Sequence, residues 1–150
     1  MNNEKTSFFW KTIGTHGVMI LSTSAGNKVS SRPVSTVVFG GRFYFQTDEN
    51  YLKYRQIKAN PNAAMCCKNI SVQGVCTDLG KPKENPDFMR ALKRHFPLAA
   101  ARYSGLESER AIEFTPTLAY RWVYEKGQPF TEYWDFKEGT YKKIKMYDVH

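Results

Sequence analysis

A tight hairpin constrains the fold of this chain more than any other feature of its sequence. Residues 36–39 (Thr-Val-Val-Phe) are β-branched or aromatic, and residues 43–45 (Phe-Tyr-Phe) form a second run of the same kind. Gly40-Gly41 lies between them, and two glycines are typical of a two-residue turn between antiparallel strands. The sequence therefore predicts a β-hairpin at this point.

A short helix with two flanking cations is predicted directly after this hairpin. Residues 47–50 offer side-chain oxygens where a helix begins, residues 51–59 carry the helix, and Asn60-Pro61 ends it. Arg32 lies at the start of the first strand, and Lys53 lies in the first turn of the helix. A helix start presents unpaired N–H groups and a positive dipole end, so this arrangement is typical of a phosphate site. Two solvated surface charges are the alternative.

The rest of the chain predicts more short strands and further helices. Helices are indicated near residues 8–13 and from Asn85-Pro86 onward, where Phe88, Leu92 and Phe96 form an apolar stripe that faces a core. Residues 98–108 are compatible with either a helix or a loop. The predicted strands cover residues 17–23, 29–39, 43–47, 62–68, 71–79, 111–114 and 118–124, with a final hairpin about Glu138-Gly139.

Six or more short strands with two or three helices predict an all-β barrel with helical additions. Gly74 lies inside a predicted strand, which indicates a bulge or a close approach of two backbones. The chain has 150 residues and contains no internal repeat or linker, so we expect one domain spanning residues 1–150.

Composition excludes several classes of protein. Hydrophobic residues make up 41% and charged residues 24% of the chain, as in ordinary globular proteins. The formal net charge is +8, but the basic residues are scattered, so nucleic acid is a poor candidate partner. The three cysteines, Cys66, Cys67 and Cys76, do not form a disulfide framework or a zinc site. Without a signal region or an apolar run of membrane-spanning length, we expect a cytoplasmic protein.

Common catalytic motifs are absent from the sequence. There is no Gly-x-Ser-x-Gly elbow, and the histidines are only His16, His95 and His150, which gives little support to a hydrolytic triad. Metal-ligand spacing, a Walker-type loop and a Gly-x-Gly-x-x-Gly turn are also absent. We predict no metal site and assign no catalytic residue. This pattern favours a bound cofactor that carries any reaction.

Five segments of the chain, taken in order, resemble the FMN-binding split-barrel family, the pyridoxamine 5′-phosphate oxidase-like proteins. Their order and spacing carry the resemblance, which covers roughly residues 15–80. The segments are residues 17–23 (Gly-Val-Met-Ile-Leu-Ser-Thr), 31–34 (Ser-Arg-Pro-Val), 43–47 (Phe-Tyr-Phe-Gln-Thr), 53–61 (Lys-Tyr-Arg-Gln-Ile-Lys-Ala-Asn-Pro) and 72–74 (Val-Gln-Gly).

The resemblance implies a mainly β fold, a six- or seven-stranded antiparallel split β-barrel with two or three helices. It also implies a homodimer with FMN in a cleft between the subunits. Carried over to this sequence, Arg32 and Lys53 neutralise the FMN phosphate and Thr47 donates a hydroxyl hydrogen bond. The residues expected along the isoalloxazine ring and ribityl chain are Pro33, Val34, Ser35, Phe45 and Gln46, with Gln73 reaching the flavin from the partner subunit.

Two departures narrow the implied function. Many relatives have serine where this chain has Tyr51, and the Arg-Leu-Ser-Pro-type tail of the authentic oxidase is missing from residues 145–150. The chain therefore resembles more closely the general-stress and nitroimidazole-resistance-type relatives. We expect an FMN-dependent oxidoreductase that passes electrons to a small, aromatic or nitroaromatic acceptor, with a nicotinamide nucleotide or a partner protein as electron donor.

Other interpretations of the sequence stay open. A non-enzymatic flavin-binding or sensor protein is the first alternative, and a basic nucleic-acid-binding β-barrel is a weaker one. His16, Tyr133 and Trp134 are candidates for contact with a substrate, although a surface histidine and packed aromatic rings are the more common roles of such residues.

Overall fold

The computed structural model describes residues 3–146 of the chain. Within that range it contains eight β-strands, four α-helices and a short 3₁₀ helix, Pro82–Glu84. In chain order the elements are α1 (Asn3–Ile13), β1 (His16–Ala25), β2 (Lys28–Phe39), β3 (Arg42–Asp48), α2 (Leu52–Ala59), β4 (Asn62–Cys67), β5 (Ile70–Asp78), α3 (Pro86–His95), α4 (Pro97–Tyr103), β6 (Glu109–Glu125), β7 (Gln128–Asp135) and β8 (Thr140–Lys145).

The strands form an antiparallel barrel, which confirms the predicted mainly β fold. The strand order is β3-β2-β1-β4-β5-β6, and pairing of β3 with β6 closes these six strands on themselves. The last two strands, β7 and β8, extend the sheet beyond β6. Residues 98–108, which the sequence left between helix and loop, begin within α4 and continue as turns.

Apolar side chains fill the barrel because alternate residues of each strand point inward. Met19, Leu21, Phe43 and Phe45 belong to this core and are almost completely buried. The first helix, α1, adds Phe9, whose ring centroid lies 5.3 Å from that of Trp134. Burial of each such side chain contributes roughly 1.5–3 kcal/mol to folding.

A second apolar cluster lies between the outer face of the barrel and α3. Phe88 and Leu92 of α3 are buried there against Val37, Tyr44 and Ala111. This contact confirms the predicted core-facing stripe of the helix. It fixes α3, and α4 after it, next to β2, β3 and β6.

The structure corrects one predicted strand boundary. We expected two strands separated by Thr115-Pro116, but β6 runs without interruption from residue 109 to residue 125. Pro116 lies opposite Gly74, where the register between β5 and β6 shifts. A bulge leaves one residue out of the regular pairing and therefore tolerates a proline, which has no N–H to donate. The bulge expected at Gly74 is thus confirmed.

The start of α2 also differs from the prediction. Tyr51 is the N-cap residue, and no side chain caps the helix. The Asp48 carboxylate instead accepts hydrogen bonds from the backbone and side chain of Asn50, at 2.8 and 2.9 Å. The helix is attached at its other end, where buried Gln56 accepts a 2.5 Å hydrogen bond from the Thr23 hydroxyl of β1.

The described helices include none that is both long and apolar enough to span a bilayer. The cysteines Cys66, Cys67 and Cys76 are all free thiols, and burial raises the pKa of Cys76 to about 12. The sequence comparison placed the missing oxidase-type tail at residues 145–150. Residues 147–150 of that segment, including His150, lie outside the described residues.

Candidate cofactor-binding cleft

The wall of the barrel is open where β2 and β3 diverge. These strands pair only through residues 37–39 and 42–44, next to the Gly40-Gly41 turn. Farther from the turn, residues 33–35 pair with β1 alone, and residues 46–48 pair with β6 alone. Two strand edges therefore face each other across a gap, and their backbone groups are available to a ligand.

A cleft of about 340 Å³ occupies this gap. Pro33, Val34 and Ser35 of β2 form one side of it, and Gln46, Thr47 and Asp48 of β3 form the other. The remaining lining residues come from α2, from α3 and α4, and from the segment that leads into β6: Tyr51, Lys53, Leu92, Ala99, Tyr103, Leu106 and Glu109.

The helical cover over the cleft is held to β3 by polar contacts. Gln46 of β3 donates from its amide to the Ala99 carbonyl, at 3.4 Å, and accepts a 2.7 Å hydrogen bond from Ser104. Farther along the same strand, the Ser108 hydroxyl donates to the Asp48 carboxylate over 2.7 Å. These contacts fix α4 and the segment after it beside the opening, so the cleft has a defined shape.

Lys53 and Arg32 provide the positive charge of the site from different depths. Lys53 lines the cleft, and its ammonium lies 4.9 Å from the centroid of the Tyr51 ring. Arg32 does not line the cleft, and it donates to the Thr23 hydroxyl over 2.7 Å and to the Leu21 carbonyl over 3.3 Å. Burial and the positive charge of Arg32 lower the pKa of Lys53. The two cations therefore act on the same region of the cleft.

Two carboxyl groups face these cations. Asp48 is opposite Glu109 in the pairing of β3 with β6, and both line the cleft. Hydrogen bonds from Asn50 and Ser108 lower the pKa of Asp48. Burial, together with the charge of Asp48, raises the pKa of Glu109 to about 7. The site therefore combines one stabilised carboxylate with one carboxyl group whose pKa is raised to near neutral pH.

Most of the residues predicted to bind a cofactor converge on this cleft. Arg32 does not line it, although its positive charge acts on Lys53, which does. The Phe45 side chain points into the barrel core and is fully buried, so the structure does not bring it to the cleft. The residues that do come together are Pro33, Val34, Ser35, Gln46, Thr47 and Lys53.

Gln73 lies apart from the other predicted residues. It is exposed and lines a second depression, on the outer face of β1, β4 and β5, together with Ser22, Ala64 and Gly74. Within one copy of the chain, Gln73 and the cleft thus belong to separate surface depressions.

None of the three candidates for substrate contact lines the cleft. His16 stacks on His95, with ring centroids 3.9 Å apart. Tyr133 lies beside a different depression, formed by β6, β7 and β8. Trp134 is fully buried and donates from its indole N–H to the Lys5 carbonyl over 3.2 Å, so it has the packed role that is more common for such rings.

Several cleft residues were not predicted from the sequence. Glu109 opens a strand, and no local pattern indicates that β3 pairing will place it opposite Asp48. The apolar cover from Leu92, Ala99 and Leu106 depends on how α3 and α4 pack. The only available signal was the apolar stripe of α3, which indicated a buried face without identifying the face's second role.

A six-stranded barrel with one open corner, and with a cation-flanked cleft at that corner, defines the split-barrel class of proteins. Residues 9–123 match the family described as pyridoxamine 5′-phosphate oxidase. The match covers most of the chain, and the chain belongs to that family.

Solved structures share this fold at low sequence identity. A pyridoxamine 5′-phosphate oxidase-related, FMN-binding protein from Nostoc punctiforme has 14% identity and a TM-score of 0.62, over 85% of this chain and 86% of that one. A NimC/NimA family protein from Clostridium acetobutylicum has 14% identity and a TM-score of 0.58, over 97% and 95%. General stress protein 26 from Bacillus anthracis has 23% identity and a TM-score of 0.55, over 73% and 88%. No match was found among curated proteins.

Proposed function

We propose that this chain is an FMN-dependent oxidoreductase that passes electrons from reduced flavin to a small acceptor. One observation carries the proposal: the split between β2 and β3 gathers Lys53 and Thr47 with Pro33, Ser35 and Gln46 around a single cleft. Family membership and the FMN-binding structural neighbour support the choice of cofactor.

The positive end of the cleft fits a phosphate group. Lys53 would contact the phosphate directly, while Arg32, which does not line the cleft, adds positive charge and keeps its hydrogen bond to Thr23. The Thr47 hydroxyl donates to the Asp48 carbonyl at a long 3.2 Å and can rotate to donate to a ligand instead. Because the pKa of Glu109 is raised to about 7, its carboxyl group cancels only part of this positive charge at neutral pH.

The strand edges fit the flat and polar parts of FMN. Pro33 and Val34 offer apolar surface to an aromatic ring, and the backbone of residues 33–35 and 46–48 offers donors and acceptors along the ring edge. When bound, FMN would carry a hydride or single electrons between a donor and an acceptor. The chain's own residues bind the cofactor, orient it and exclude water on the side that α3 and α4 cover.

We propose a homodimer as the functional form. Gln73 cannot serve the cleft of its own chain, because it lines a separate depression, but a second copy could present it to that cleft. The same outer face also carries exposed apolar residues of β1, Val18 at 66% and Ile20 at 43% exposure. Exposed aliphatic side chains on a sheet face are typical of a surface that another subunit covers.

Within this function, the acceptor we favour is a small aromatic or nitroaromatic molecule. A NimC/NimA family protein and general stress protein 26 are among the structural neighbours, which supports this branch of the family. A nicotinamide nucleotide or a partner protein would supply the electrons. The cytoplasm, where such donors are available, is the compartment that we propose.

A visible absorption spectrum and an FMN titration of the purified protein test the first part of the proposal. We expect saturable binding of about one FMN per chain, and no uptake at all would contradict the proposal. Steady-state assays of FMN-loaded protein with NADH or NADPH and a nitroaromatic acceptor test the second part. Binding without turnover would instead favour a flavin-binding sensor.

A further inference from the structure

Glu109 is the one buried acidic residue among the described residues that line the cleft. The residue is only 5% exposed, and its side chain forms no hydrogen bond or ion pair within residues 3–146. Every fully enclosed side-chain oxygen in the described structure has a hydrogen-bond partner. The oxygens of Glu109 must therefore reach the open space of the cleft, where a ligand can contact them.

The groups around Glu109 have opposing effects on its pKa. Asp48 of β3 favours the protonated form and Lys53 of α2 favours the ionised form, while burial adds to the effect of Asp48. Tyr51 and Tyr103 also line the cleft. Arg110, the next residue in β6, is paired with Glu49 at 2.8 Å and is directed to that partner.

An ionised Glu109 would repel a phosphate held by Lys53, since both side chains line the same cleft. A protonated carboxyl group would instead offer an O–H donor to a phosphate oxygen. A phosphomonoester carries nearly two negative charges above pH 7, so its arrival strongly favours the protonated form.

We propose that Glu109 binds the cofactor phosphate in its protonated form, donating a hydrogen bond to a phosphate oxygen, so that the protein takes up a proton when FMN binds. This inference rests on the proposed function and adds to it a residue that selects a phosphorylated ligand. The proton comes from solvent, and no covalent bond is formed or broken.

The sign of the pH dependence follows from this proton uptake. Free Glu109 is about half ionised at pH 7 and almost fully ionised at pH 8, whereas in the complex it stays protonated. FMN affinity should therefore fall several-fold as the pH rises from 7 to 8, and FMN binding at pH 8 should be accompanied by net proton uptake. Work above pH 7 keeps the phosphate itself almost fully ionised.

Isothermal titration of the purified chain with FMN, in buffers of different ionisation enthalpy, measures both quantities. Glu109→Gln keeps the shape and a donor but cannot change charge, so its FMN affinity should be independent of pH and its proton uptake should vanish. Glu107→Gln is the matched control, because Glu107 lies on the same segment but is 90% exposed. That variant should behave as the parent does.

Titration with riboflavin tests whether proton uptake depends on the phosphate. Riboflavin lacks the phosphate and should bind without proton uptake or fail to bind, whereas uptake equal to that of FMN would overturn the inference. If Glu109→Gln does not fold, infrared difference spectra of the parent at pH 8 replace it, and FMN should produce the C=O stretch of a protonated carboxyl group.

FMN binding without proton uptake would refute the role of Glu109 and leave the proposed function intact. Failure of the parent to bind FMN would overturn both.

Discussion

Lys53 and Arg32 carry the same charge, but their surroundings differ. Lys53 lines the cleft and forms no ion pair with a carboxylate of residues 3–146, while Arg32 belongs to a chain of hydrogen bonds that runs through Thr23 to Gln56. The sequence indicated both as phosphate ligands and could not separate them, because their packing depends on where α2 lies. Replacement of each residue should therefore have a different effect.

Lys53→Ala should weaken FMN binding without unfolding the protein. Removal of one charge-assisted contact to phosphate costs roughly 1.5–3 kcal/mol, which corresponds to a tenfold to hundredfold loss of affinity. Arg32→Ala should lower FMN affinity and also reduce the free energy of unfolding by roughly 1–2 kcal/mol, since Thr23 loses a partner. Fluorescence titration and urea denaturation measure these two effects.

Lys58→Ala provides the control for both cation variants. Lys58 lies on the same helix but points to Asp78, 3.7 Å away, and does not line the cleft. FMN affinity should be nearly unchanged in this variant. An equal loss of affinity with Lys58→Ala and Lys53→Ala would show that general charge, rather than position, controls binding.

Glu109 should make the cofactor-free protein less stable as the pH rises. The pKa of Glu109 is raised from an ordinary value of 4.5 to about 7 in the folded state, so the folded protein binds more protons between these values. This contribution is fully present below pH 4.5 and is lost as the pH rises through 7, by roughly 1–2 kcal/mol after allowance for solvent in the cleft. Urea denaturation at pH 5 and pH 8 measures the free energy of unfolding at each pH. The difference between the two values should be smaller in Glu109→Gln than in the parent protein.

At the scale of single elements, the bulge between β5 and β6 brings Gly74 very close to β6. A Cβ atom on Gly74 would lie 2.5 Å from the Phe114 ring and 2.5 Å from the Thr115 carbonyl oxygen. A backbone oxygen inside a barrel wall cannot move away without breaking the pairing of strands. The position therefore requires glycine for lack of space.

Gly74→Ala should destabilise the protein by roughly 1–3 kcal/mol, the usual cost of overpacking. Gly17→Ala is the matched control, because Gly17 also lies in a strand and has no atom within 4 Å of an added Cβ. Its effect should stay within about 0.5 kcal/mol. Thermal and urea denaturation compare the two variants, and equal effects would contradict the close approach at Gly74.

The elements that local chemistry determines were predicted well from the sequence. Gly40 and Gly41 both have positive φ, at 60° and 74°, so the glycine pair indicated the turn for a sound physical reason. Pro86 begins α3 as expected. Pro116 misled the prediction, because a proline normally ends a strand, and the bulge that accommodates it involves a residue about 40 positions earlier.

The features that long-range packing determines could not be predicted. The cleft depends on how far β2 and β3 stay paired, and nothing in residues 28–48 states where that pairing stops. Phe45 and Gln46 were both assigned to the ligand, yet strand alternation sends one into the core and the other into the cleft. Which of the two faces the core depends on the closure of the barrel by β6.

At the scale of the whole molecule, the outer face of β1 and β4 bears on whether one chain alone can form a complete cofactor site. Val18 and Ile20 are exposed on β1, and Ile20 lies opposite Cys66 of β4, which is exposed as well. If a second copy covers this face, its Gln73 can approach the cleft, and the cofactor site is complete only in the dimer.

Ile20→Glu should convert a dimer into a monomer, because a charge placed in an apolar interface loses its hydration. Sedimentation analysis of the parent and the variant measures the assembly, and FMN affinity should fall together with dimer content. Leu98→Glu is the control, since Leu98 is 63% exposed but belongs to α4. A parent that is monomeric at micromolar concentration would contradict the proposed assembly.

The partial pairing of the β2–β3 hairpin also bears on how such proteins diversify. The three paired positions and the turn maintain the barrel, whereas the diverging ends face the cleft without bonding to each other. Exposed Pro33 and half-buried Ser35 can therefore change with little cost to folding. Evolution can adapt the cleft to new ligands while the barrel persists, which is consistent with shared folds at 14% identity.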